Sequence, residues 1–193
     1  DPARVAEAAA LIAGAACPII VAGGGVHISE AYDELARLQD LASMPVGTTV
    51  MGKGTVDETH PLSMRVVGYI MGRRGAARSL RAMLSRADVV VLIGNRTNQG
   101  GTDSWSMFSS NARFIHLDID SLEVGRNYEA AARLVGDAKL TLAALNDALG
   151  RSDLAKRRAG RAALETEIAA ARTAHAAEVE SVVSSNAKPI RPE

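Results

Sequence analysis

Aromatic side chains are nearly absent. Two phenylalanines, three tyrosines and one tryptophan make up 3% of the 193 residues. The core must therefore be built from Ala, Val, Leu and Ile, and an apolar content of 47% is enough for a sizeable one. Cysteine is scarcer still. Cys17 stands alone, so it forms no internal disulfide, and no Cys/His cluster has zinc spacing. A reduced, cytoplasmic setting is the expectation. Neither sign of charge is in excess, with 22 basic and 22 acidic residues. That removes any electrostatic reason to expect nucleic acid or a charged membrane surface as partner. No apolar run approaches the roughly 20 residues that span a bilayer, and no signal-peptide pattern is seen. The chain starts at Asp1 rather than Met and closes on "KPIRPE", so a piece of a longer protein is expected.

What is present is a regular alternation. Asp1-Pro2 is a helix start, an N-cap acid followed by proline at the first helical position. Val5, Ala9 and Ile12 then recur at helical spacing. Ile19–Ala22 is a short continuous apolar run, the pattern of a strand buried on both faces. Ser29 is placed to cap a helix whose apolar face is Tyr32, Leu35, Leu38 and Leu41. Pro45–Thr49 reads as a second strand. A helix carrying Ala76, Leu80, Met83 and Leu84 precedes Val89–Ile93, the strongest strand in the sequence. Arg113–Leu117 and Arg133–Val135 read as further strands, and 137–149 as a closing helix. Short apolar strands alternating with amphipathic helices indicate parallel βαβ units, hence an α/β fold of the three-layer α/β/α sandwich type over residues 1–150. From 151 the character changes to an alanine-rich, charged helix with a thin seam of Leu164, Ile168, Ala171, His175 and Val179. Such a helix buries little alone. It is expected to pack on something absent from this chain, and otherwise to be loosely held or to pair with a second copy.

Three strand ends carry permissive or polar residues: Gly23-Gly24-Gly25, Gly94-Asn95-Arg96 and Asp118-Ile119-Asp120. Glycine lets a phosphate approach the backbone, and a following helix N-terminus favours the anion. Arg96 can pair with a diphosphate bidentately. Asp118 or Asp120 can accept from ribose hydroxyls or an adenine amine. Each also has a plainer reading. The glycines can be a tight turn, Arg96 a surface arginine, and the two aspartates caps for 121–127. The dinucleotide fingerprint is incomplete: Ile28 takes the third glycine position and Thr48-Thr49 stand where an acid would end the second strand, which argues against a standard NAD site. No nucleophile–base set stands out.

The order of "CPIIVAGGGV", "MPVGTTVMGKGTVDETHPLS", "ADVVVLIGNR", "FIHLDIDSLEVGRN" and "VGDAKLTLAAL" resembles the central domain of thiamine-diphosphate (ThDP)-dependent enzymes, nearest the acetolactate synthase-like branch. The resemblance covers residues 2–150. It implies a six-stranded parallel Rossmann-like sheet that carries no thiamine itself. Flanking pyrimidine-binding and pyrophosphate-binding domains would bind ThDP and Mg2+, in a parent that decarboxylates 2-keto acids and often joins the product to an acceptor. The isolated chain would then be inactive, "KPIRPE" the start of the next domain, residues 151–193 a connector, and the parent a homo-oligomer. Central domains of this family hold FAD, hold ADP, or are empty. By resemblance, Gly24 and Gly25 lie near the diphosphate, Arg96 contacts cofactor phosphates, Asp118, Ile119, Asp137 and Ala138 lie beside the adenosine, and Met51-Gly52 lies along the flavin side. One departure matters. FAD-binding synthases carry Phe-Asp-Asp-Arg after that arginine, and here the run is Thr97-Asn98-Gln99-Gly100-Gly101. The adenosine end is thus better supported than the flavin end.

Two other readings compete. One is an independent FAD- or NAD-binding domain of electron-transfer-flavoprotein or sirtuin type, although a single cysteine counts against the zinc of the latter. The other is an empty dimerisation scaffold using the C-terminal helix.

Overall fold

A computed structural model describes residues 1–68, 78–184 and 186. Ala76 of the expected fourth helix and the 188–193 segment lie outside these residues. Six parallel strands form one sheet: β1 (Pro18–Ala22), β2 (Val46–Thr48), β3 (Ser63–Val66), β4 (Val89–Ile93), β5 (Arg113–Asp118) and β6 (Ala130–Val135). Their order is β3-β2-β1-β4-β5-β6. β1 and β4 are buried along their whole length, which is why they read as unbroken apolar runs rather than alternations. Their register sets Val21 beside Leu92 and Ala22 beside Ile93.

Alternate residues of these strands feed two cores. Ile20, Ala22, Val89, Val91 and Ile93 pack beneath α1 (Pro2–Gly14), α2 (Gly25–Ile28), α3 (Tyr32–Leu41) and α5 (Ala138–Leu149). Ile19, Val21, Val90 and Leu92 pack on the opposite face beneath α4 (Arg81–Ser85) and α6 (Ala155–Val183). The three-layer α/β/α sandwich is therefore present. Helix α1 starts as its sequence predicts: the Asp1 carboxylate accepts from the Ala3 N–H at 2.9 Å, with Pro2 in the first turn.

Strand β3 is the one that the residue pattern missed. It is a short edge strand, Ser-Met-Arg-Val, whose pairing shifts register between Val46 and Gly47 and whose Arg65 has φ +57°. A bulged, polar edge strand leaves no clean alternation. β6 also starts earlier than expected, at Ala130, because a run of alanines carries no strand signal.

The expectation for α6 is corrected in part. Ile168 and Ala171 are buried, and Leu164 packs against them, all on this chain's own second core. Guanidinium groups lace the helix to the domain. Arg157 is buried and donates to the carbonyls of Ala42 (3.3 Å), Ala16 (3.0 Å) and Ser43 (3.1 Å). Those carbonyls follow the C-termini of α1 and α3, where helices leave acceptors unsatisfied. Arg172 donates to the carbonyls of Glu58, His60 and Ser63. Arg157 thus caps the ends of α1 and α3, and Arg172 ties α6 to the loop that leads into β3.

Candidate functional site

Ligands of open parallel sheets bind beyond the carboxyl ends of the strands, where strand order reverses. Here that point lies between β1 and β4. The loops leaving these strands meet backbone to backbone. Gly23 donates its N–H to Ile93 (2.8 Å) and Gly25 donates to Gly94 (3.1 Å). A Cβ on Gly23 would stand 2.2 Å from the Gly94 oxygen, and one on Gly25 2.6 Å from the Gly94 Cα. Chain packing alone therefore requires two of the three glycines. The third, Gly24, faces Met51, whose Cβ and carbonyl oxygen lie 3.3 Å from where a Gly24 Cβ would be. Gly52 sits close under β1: its own Cβ would fall 2.3 Å from the Ala22 oxygen.

The helix N-terminus expected after the glycines offers no open anion cradle. α2 is a single turn, and the N–H groups of Gly25, Val26 and His27 donate to the carbonyls of Gly94, Gly23 and Gly24. Nor does Ser29 cap α3, whose start has no side-chain cap. The Ser29 hydroxyl instead accepts from the Ala138 N–H at 3.3 Å, tying the β1 loop to the start of α5. That link spans 109 positions and left no sequence signal.

Five of the nine expected site residues come together. Gly25, Asp118, Ile119, Asp137 and Ala138 line a cavity of about 130 Å³ with Ser29. Asp118 ends β5 with only 8% of its surface exposed, and one of its oxygens accepts from the Asp120 N–H at 3.0 Å. Asp120 in turn accepts from Leu122. These are local turns; no helix follows over 121–127 for the aspartates to cap. Asp137 caps α5 by accepting from the Leu140 N–H at 3.0 Å. That bond, with one from the Ser29 hydroxyl, holds its carboxyl below the usual carboxylate range. Ile28 and Ile119 stay exposed and form an apolar lip.

The other four do not join this cavity. Gly24, Met51 and Gly52 form their own contact to one side, with the Met51 side chain exposed. Arg96 is exposed in the loop after β4, and among the described residues no hydrogen bond or ion pair fixes its guanidinium. Its neighbours Asn98–Gly101 lie over the ends of β2 and β3. A Cβ on Gly101 would be 3.6 Å from the Thr49 methyl, and one on Gly68 2.7 Å from the Gly101 oxygen.

His116, on β5, proves to be the link between two rims of the site. Its Nδ1 accepts from the Gly125 N–H at 3.1 Å, so in the neutral ring Nε2 carries the proton and donates to the Asn95 carbonyl at 3.0 Å. Burial pushes its pKa down, favouring that neutral form.

Residues 5–145 match the model of the thiamine pyrophosphate enzyme central domain. The chain belongs to this family. The match runs from α1 through all six strands into α5 and leaves α6 outside. The probable acetolactate synthase large subunit of Methanococcus aeolicus is 44% identical over 141 residues, which are 73% of this chain and 23% of that protein. Its counterpart in Methanocaldococcus jannaschii is 42% identical over 148 residues, 77% of this chain and 24% of that protein. The acetolactate synthase of Arthrospira platensis is 36% identical over 142 residues, 74% of this chain and 24% of that protein. The chain thus spans about a quarter of the length of these relatives. As a central domain of this family it is a module whose relatives carry it within much longer chains. No described helix is long and apolar enough to cross a membrane.

Proposed function

We propose that this chain is the non-catalytic central domain of a ThDP-dependent enzyme that decarboxylates a 2-keto acid and joins the product to an acceptor. The match over residues 5–145 carries this reading. ThDP, when bound by flanking domains with Mg2+, supplies the stabilised carbanion. This domain's share is to position those neighbours in a cytoplasmic homo-oligomer. Residues 1–150 form the module and 151–193 the connector.

We further propose that the cavity lined by Gly25, Ser29, Asp118, Ile119, Asp137 and Ala138 holds the adenosine part of an adenine nucleotide in a structural role. Its size supports a part and not a whole. About 130 Å³ is well below the roughly 300–1,000 Å³ that encloses a drug-sized ligand, and is comparable to the cavity of about 150 Å³ that takes one benzene ring. The residues present fit a flavin poorly. Met51, which the resemblance puts on the flavin side, abuts Gly24, and Thr97–Gly101 stand where flavin-binding relatives carry Phe-Asp-Asp-Arg. ADP is therefore favoured over FAD.

Thermal unfolding with ADP, FAD and ThDP in turn tests this. A ligand at a hundred times its dissociation constant adds about 2.7 kcal/mol, a shift of several degrees for a domain of this size. A larger shift with ADP than with FAD is expected. A larger shift with FAD alone would restore the flavin. A shift with ThDP would overturn the assignment of thiamine to other domains, and no shift with ADP would remove the nucleotide.

A further inference from the structure

Helix α6 leaves one face without a partner. Its inner face meets the second core through Leu164, Ile168 and Ala171. On the outer side Ala159, Ala162, Thr166, Ala169, Thr173 and Ala176 are all exposed. They follow the alternating spacing of three and four that keeps a seam on one side of a helix. A helix face made only for water carries charge, and this seam carries none from Ala159 to Ala176. Side chains this small let a second helix approach closely, to about 8 Å between axes.

The charges of α6 sort by whether their own chain uses them. Arg157 and Arg172 donate to carbonyls. Arg161 pairs with Asp40 and Glu165, Glu167 with Arg86, and Glu178 with Arg78. Among the described residues, Lys156, Arg158 and Glu180 have exposed side chains with no such partner. The two cations flank the seam where it begins, beside Ala159. Glu180 is the next position of the same series after Ala176. Opposite charges thus stand free at opposite ends of an uncharged seam.

We infer that α6 pairs antiparallel with the α6 of a second copy of this chain, about a twofold axis beside Glu167 and Ile168. In that register Ala159 packs on the partner's Ala176, Ala162 on the partner's Thr173 and Thr166 on the partner's Ala169. Each Glu180 then reaches the partner's Lys156 and Arg158. Parallel pairing would bring like charges together at both ends. The seam points away from the sheet, so the two sandwiches lie on the outer sides of the helix pair. A strip roughly 40 Å long and 10 Å wide hides about 400 Å² on each partner, the weak end of specific interfaces. The contact strengthens wherever other domains already hold two copies together. It deepens the homo-oligomer reading above by naming the surface, and does not rest on the nucleotide.

Disulfide trapping and sedimentation of the full chain test this. With Cys17→Ala as background, Ala159→Cys and Ala176→Cys chains are mixed under mild oxidation. The mixed disulfide forms about tenfold faster than either homodisulfide, because like positions lie about 25 Å apart along the antiparallel pair. Sedimentation equilibrium then reads the charges. Glu180→Lys alone, and Lys156→Glu with Arg158→Glu alone, each associate about fivefold more weakly than the unaltered chain. Mixed together, the two variants regain its affinity, since each free charge again meets its opposite. All these substitutions on α6 are at exposed positions, and circular dichroism checks that each variant folds. Homodisulfides as fast as the mixed one would overturn the antiparallel register. A chain that stays monomeric at about millimolar concentration, or folded charge variants that fail to regain affinity on mixing, would overturn the interface. Each of these outcomes leaves a homo-oligomeric parent held by its flanking domains, so the reading of the domain itself stands or falls separately.

Discussion

Replacing His116 with leucine removes the strut between the loops that follow β4 and β5. The imidazole is 1% exposed. It receives the Gly125 N–H and donates to the Asn95 carbonyl. Leucine fills similar volume but satisfies neither group. Each net hydrogen bond is worth about 1 kcal/mol, and each buried group left unpaired costs about 1–3 kcal/mol. The expected loss is therefore roughly 2–5 kcal/mol in total, a fall of about 4–20 °C in Tm at the 2–4 °C per kcal/mol usual for 150–250 residues. Acid gives an independent reading. The folded pKa of His116 lies below its unfolded value near 6.5, so the unfolded chain takes up the proton first. The stability from the neutral ring is complete above that pH and is lost as pH falls from there through the folded pKa, by at most about 1.4 kcal/mol per pH unit. Urea unfolding of wild type and His116→Leu from pH 7.5 to 5 separates the two. The variant starts lower at pH 7.5 and declines less steeply. A variant within 2 °C (about 0.5–1 kcal/mol) of wild type, with a parallel pH curve, would refute the strut.

The glycines divide by what stands before them. Gly25→Ala drives a Cβ onto the Gly94 backbone at 2.6 Å and is expected to cost about 3 kcal/mol, whereas Gly24→Ala meets Met51 at 3.3 Å and costs less than about 1 kcal/mol; equal urea midpoints would show that loop packing does not set these residues. Arg157→Met leaves the carbonyls of Ala16, Ala42 and Ser43 without their donor and is expected to lose about 2–4 kcal/mol, with limited proteolysis appearing first in α6; an unchanged cleavage pattern would mean the helix is held by its apolar seam alone. Asp137 has a lowered folded pKa, so its contribution is present above about pH 4 and fades as pH falls further. Asp137→Asn keeps the cap but not the charge, and its unfolding midpoint changes less between pH 5 and 3 than that of wild type.

The layers were legible because buried parallel strands have no choice of pattern. With both faces covered, Pro18–Ala22 and Val89–Ile93 read as apolar throughout. The caps Asp1 and Asp137 were legible for a similar reason, since a side chain that bonds two or three residues ahead is local chemistry. Long-range polar contacts have no such trace. Ser29 reads as a helix cap until the chain brings Ala138 to it. Arg157 reads as surface charge until two helix ends meet around it.

The triple glycine is a harder case, because two different demands select the same residue. A phosphate needs close approach to backbone, and so does a second backbone. At Gly23 and Gly25 the neighbour that excludes a side chain is Gly94, not a ligand, and the loop N–H groups are already spent on carbonyls. A glycine run at a strand end therefore reports crowding without saying who crowds. Carboxylates are more informative there. Asp118 uses one oxygen in the turn to the Asp120 N–H and presents the other at the cavity wall, where it can accept from a bound donor. Asp118, at the end of β5 and in the wall of the cavity, is thus the residue on which the functional reading turns, and its substitution is more telling than that of any glycine in the motif.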